Sequence, residues 1–167
     1  MTTKQFLPLP YGKDVYSELK GNGCYFVDKT PYLKELIDKD KSNVMLFTRP
    51  RRFGKTLFMS MVEYFLKISS ANPGDTILQQ KLFKDTKILE DREFCAKYMG
   101  QHPVICLTLK GVYGKTFTSA YYKLAELIVA KAKEYSFLKD SLALNDDDKA
   151  TYAKLSSKDF LHRADEN

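Results

Sequence analysis

Val44-Met45-Leu46-Phe47-Thr48-Arg49-Pro50-Arg51-Arg52-Phe53-Gly54-Lys55-Thr56-Leu57-Phe58-Met59 sets a Gly-Lys-Thr triplet between a short apolar run and a long one. A phosphate-binding loop has this layout. Backbone N–H groups at the start of a helix surround the β-phosphate, a lysine reaches the β and γ oxygens, and a hydroxyl ligates Mg²⁺. Gly54, Lys55 and Thr56 can fill those roles, with Thr56 as the metal ligand. The common pattern, G-x-x-x-x-G-K-[ST], also carries a glycine five residues before Gly54, where this chain has Arg49. The match is partial, so its surroundings decide its weight.

Upstream, Val44 to Phe47 is an uninterrupted apolar stretch, as expected of a parallel strand buried on both faces. Downstream, Leu57, Phe58, Met59, Met61, Val62, Tyr64, Phe65, Leu66 and Ile68 leave little polar face, which predicts a helix packed beneath a sheet. Pro103 to Leu109 reads as a second buried strand, with proline tolerated at its first residue. Phe117, Tyr121, Leu124, Ile128, Ala132 and Tyr135 recur at helical spacing, so a helix is expected over 117–135. A shorter helix is expected over 31–38, because Thr30-Pro31 is a start signal and Tyr32, Leu33, Leu36 and Ile37 form an apolar face. Alternating strands and helices predict an α/β fold of the P-loop NTPase type, a parallel sheet flanked by helices and incomplete at its C-terminus. The expected organisation is an N-terminal segment and helix over 1–42, a partial ATPase-like core over 43–140 and a polar tail over 141–167.

Within the loop, Arg51 and Arg52 have two readings. Their guanidinium forks match phosphate oxygens, or they point outward and pair with acidic residues. Phe53 either belongs to the nucleotide site with its neighbours or wedges the loop against the core.

Composition narrows the function classes. The 167 residues suffice for a domain with a core. No stretch approaches the ~20 apolar residues that span a bilayer, and Met1-Thr2-Thr3-Lys4-Gln5 lacks a signal-peptide apolar region, so no membrane partner and a cytoplasmic location are expected. Cys24, Cys95 and Cys106 are too scattered for a disulfide framework or a zinc site, and Cys106 is expected in the core. The net charge of +6 is spread among acids, apart from the Arg49, Arg51, Arg52 and Lys55 cluster, which a triphosphate would occupy. His102 and His162 have no partner at catalytic spacing. The strand over 103–109 ends in Leu107-Thr108-Leu109-Lys110, without the carboxylate that would orient an attacking water, so no catalytic residue is assigned. Asp28, just before a helix, reads first as a cap.

Four pieces in order resemble the N-terminal part of the AAA-ATPase-like family of bacterial and archaeal proteins: Leu9-Pro10-Tyr11-Gly12, Tyr25-Phe26-Val27-Asp28-Lys29-Thr30, Arg49-Pro50-Arg51-Arg52-Phe53-Gly54-Lys55-Thr56, and Pro103 through Val112. Arginine at the first loop position is normal in that family. The resemblance implies an ATP-binding module with ATP and Mg²⁺ as cofactors, and it suggests that Val27 to Thr30, with Asp28 and Lys29, lies near the adenine side. Family members usually continue into a strand ending in Asp-Glu and then a nuclease-like domain of the PD-(D/E)xK type. ATPase activity is therefore expected only of a complete-length protein, and this chain reads as a fragment. The alternative is a nucleic-acid-binding module of a defence or mobile-element nuclease system, with nucleic acid engaged through the full-length protein.

Overall fold

Two compact units, Met1–Val104 and Ile105–Asn167, divide the chain. The structure, a computed structural model, describes residues 7–38, 44, 46 and 48–157. In the first unit, α1 (Tyr16–Gly21), α2 (Pro31–Asp38), α3 (Lys55–Leu66), α4 (Ile77–Leu82) and α5 (Arg92–Tyr98) pack with a 3₁₀ turn at Lys87–Glu90. Proline opens α2, where its fixed φ suits a helix start and its missing N–H costs nothing. Asp91 caps α5 by accepting from the Phe94 N–H at 3.1 Å, and its carboxylate also pairs with Lys34 of α2.

Aromatic packing fills this unit. Phe65 of α3 is fully buried, edge-on to Phe83 at 5.3 Å and stacked on Phe94 at 5.7 Å. Tyr16 of α1 is also fully buried; its hydroxyl donates to the Leu82 carbonyl at 3.2 Å and its N–H to Ser60 Oγ at 2.8 Å. A buried phenol keeps a hydrogen bond because leaving it unmade costs more than making it gains. These bonds fix α1 against α4 and against α3, the helix that begins within the Gly-Lys-Thr triplet.

The expected α/β class is overturned. Among the described residues the chain is helical and contains no β-strand, so there is no parallel sheet. Val44 and Leu46, expected to be buried, are 83% and 85% exposed, while Met45 and Phe47 fall outside the described residues. Residues 103–108 belong to no regular element, and Ile105 and Leu107 are exposed. One isolated parallel bridge, Lys67 with His102, is the pairing found among the described residues; it ties the end of α3 to the entrance of the second run. The physical reason is that an apolar run supplies strand propensity, whereas a strand exists only when a neighbour satisfies its N–H and C=O groups. Without a sheet above it α3 is only partly covered: Ser60, Met61 and Phe65 are buried, but Met59 is exposed. Cys106 is half-buried, and His162 lies outside the described residues.

The second unit holds a 3₁₀ turn at Leu109–Gly111, the long α6 (Phe117–Glu134), another 3₁₀ turn at Ser136–Asp140 and α7 (Asp146–Leu155). Thr116 and Ser119 form a reciprocal capping box at the start of α6. Helix α7 forms within the stretch read as a polar tail. Asn145 caps it through the Asp148 N–H at 2.8 Å, and the Tyr152 hydroxyl donates to the Ala132 carbonyl of α6.

Candidate functional site

The loop before α3 is turned by two left-handed residues, Arg52 at φ 67° and Gly54 at φ 77°. Glycine adopts this conformation freely, but arginine there costs of order 1–3 kcal/mol, a strain the neighbouring structure has to hold. Helix α3 follows at once, its first intrahelical bond running from the Phe58 N–H to the Gly54 carbonyl at 2.9 Å. The N–H groups before that bond have no intrahelical partner, and Gly54 brings no side chain to cap them. They are donors at the positive end of a twelve-residue helix.

Lys55 folds back across the loop. Its ammonium donates to the Arg49 carbonyl at 2.7 Å and the Pro50 carbonyl at 3.1 Å. Two of its three donors are thus fixed by the loop itself, which holds the charge over the bend. Lys29 approaches from another segment: its Nζ lies 4.0 Å from the point a Cβ on Gly54 would occupy. A cleft of about 640 Å³, within the range of small-molecule sites, opens beside these groups. Lys29, Arg49, Gly54 and Lys55 line it together with Tyr32, Glu35, Leu36, Phe53, Phe58 and Met59.

The sequence-derived candidates separate into two groups. Phe53, Gly54, Lys55 and Lys29 meet at the cleft. Arg51, Arg52 and Thr56 are exposed on the same loop and the first turn of α3, and neither arginine forms an ion pair among the described residues. Phe53 is 60% exposed at the cleft, so it does not wedge the loop against the core.

Asp28 is turned elsewhere. One of its carboxylate oxygens accepts from the Thr30 N–H at 2.9 Å and the other from the Lys87 N–H at 2.8 Å, while Thr30 Oγ1 accepts from the Ile88 N–H at 3.2 Å. Partial burial pushes the Asp28 carboxyl up, but the Lys87 and Thr30 hydrogen bonds outweigh it and hold the group below the ordinary carboxylate value. Asp28 thus anchors the segment that delivers Lys29. Replacing it with alanine strands two N–H donors and should cost about 1–2 kcal/mol. Because the folded-state value is depressed, this stabilisation is present above the unfolded pKa of about 3.9 and is lost as pH falls through the folded value. Urea unfolding of Asp28→Ala beside wild type should show a constant gap near neutral pH that narrows below about pH 4.

No group of three or more His, Cys, Asp or Glu side chains among the described residues is arranged to hold a metal ion, and the Thr56 hydroxyl is exposed on the first turn of α3. The reading from sequence missed Tyr32, Leu36, Phe58 and Met59 as cleft residues, because their apolar character equally fits the buried faces of α2 and α3. Arg49 belonged to the recognised cationic cluster. Glu35 carried no signal beyond its place on α2.

The family model described as "Predicted AAA-ATPase" matches residues 10–166. No curated protein and no solved structure matches the chain significantly.

Proposed function

Since the chain belongs to the predicted AAA-ATPase family, we propose that it binds ATP, with the triphosphate seated on the Arg49–Thr56 loop and the first turn of α3. The observation that carries this reading is the Lys55 ammonium held on the Arg49 and Pro50 carbonyls, in a lysine that lines the cleft. A lysine fixed in this way reaches phosphate oxygens without first having to be ordered, and the open N–H groups of α3 add neutral donors. The Thr56 hydroxyl would hold Mg²⁺ together with phosphate oxygens; the ion supplies neutralisation of phosphate charge. Lys29, whose ammonium stands by Gly54, serves the phosphates and not the adenine side.

Thermal unfolding tests the reading. Mg-ATP at a hundredfold excess over its dissociation constant should stabilise the chain by about 2.7 kcal/mol. Lys29→Ala should unfold at the wild-type temperature without ligand, because this side chain is exposed, and should bind Mg-ATP about tenfold more weakly, a loss of about 1.4 kcal/mol. An unchanged midpoint with Mg-ATP, together with stabilisation by DNA or RNA that falls steeply with salt, would replace this reading by nucleic-acid binding.

A further inference from the structure

The cleft is larger than a triphosphate site needs, and its remaining walls are of a different chemistry. Besides Lys29, Arg49 and Lys55, it is lined by Tyr32, Glu35 and Leu36 of α2, Phe53 of the loop, and Phe58 and Met59 of α3. Tyr32 is 57% exposed and Phe53 60%. Neither ring stacks on another aromatic among the described residues, in contrast to Phe65, Phe83 and Phe94, which consume one another's faces in the core. Two exposed rings that line the same cleft as Lys29, Arg49 and Lys55 give it both chemistries a nucleotide presents, cations for phosphate and π-faces for a planar aromatic group.

We infer that Tyr32 and Phe53 form the platform on which the nucleotide base stacks. This rests on the phosphate-site reading above and adds to it the residues that hold the base. The two rings come from different segments, each held by its own contacts. Helix α2 is held by the bonds of Asp28 and Thr30 to Lys87 and Ile88 and by the Lys34–Asp91 pair. Phe53 sits between the two left-handed residues, Arg52 and Gly54, so the turn that forms the phosphate loop also presents its ring. Stacking needs only a π-face and no hydrogen-bond match, and its usual contribution per base corresponds to roughly ten- to hundredfold in affinity.

The test separates base from phosphate. The full chain is titrated with Mg-ATP and with magnesium tripolyphosphate, as wild type, as Tyr32→Ala/Phe53→Ala and as the ring-conserving Tyr32→Phe. Wild type should hold ATP at least about tenfold more tightly than tripolyphosphate. The double variant should bind tripolyphosphate as wild type does and lose the ATP advantage, while Tyr32→Phe keeps it. Equal affinity of wild type for the two ligands, or an ATP advantage that survives in the double variant, would overturn the platform and leave the phosphate site standing. Binding of neither ligand by folded wild type would overturn both. Both rings are exposed, so unchanged helical circular dichroism of the double variant serves as the folding control.

Discussion

Urea unfolding of Phe65→Ala is expected to show a loss of about 3–5 kcal/mol relative to wild type. Phe65 is fully buried, its ring meets Phe83 edge-on and Phe94 face-on, and its carbonyl accepts the Gly100 N–H at 2.8 Å. Alanine removes the apolar burial and leaves a cavity between α3, α5 and the segment after α4, which rings locked against one another cannot readily collapse to fill. A domain stable by about 5–15 kcal/mol could lose a large part of its margin through this one change. The same substitution at Phe117, 83% exposed in the other unit, should move stability by no more than about 0.5 kcal/mol. A loss under about 1 kcal/mol at Phe65 would mean that α3 is not anchored through this ring.

Lys55→Ala should act on the ligand and not on the fold. The side chain is exposed, and its two bonds go to carbonyls of an exposed loop that water can satisfy when the ammonium is gone. The phosphate side of the balance is different. A hydrogen bond to a charged group is worth about 1.5–3 kcal/mol, so Mg-ATP affinity should fall between about ten- and a hundredfold. Lys55→Arg should not restore it, because a planar guanidinium cannot reproduce the ammonium's seat on two carbonyls at 2.7 and 3.1 Å while also reaching the ligand. Lys29→Ala is expected to be milder, since this ammonium approaches from outside the loop.

What could be read from sequence was what local chemistry determines. Thr30-Pro31 and the spacing of Leu33, Leu36 and Ile37 placed α2 at the observed Pro31–Asp38, and the recurrence from Phe117 onward placed α6 to within a residue of its end. The Gly-Lys-Thr triplet located the start of α3, because a glycine in the left-handed region followed by helix formers is itself a local signal. The sheet was misread. Val44, Leu46, Ile105 and Leu107 have the composition of buried strands, but pairing depends on distant partners that composition does not record. The same limit explains the cleft: Tyr32 read as a packing residue and Phe53 stood open between the nucleotide site and the core, and only the tertiary structure shows that both rings are left uncovered.

The most direct measurement is a calorimetric titration of the chain with Mg-ATP at moderate salt, wild type beside Lys55→Ala. Wild type should bind saturably, and the variant, melting at the wild-type temperature, should bind at least about tenfold more weakly, a difference of about 1.4 kcal/mol. Equal affinity in the two chains, or no heat from a folded wild type, would contradict the claim that this loop is a phosphate site.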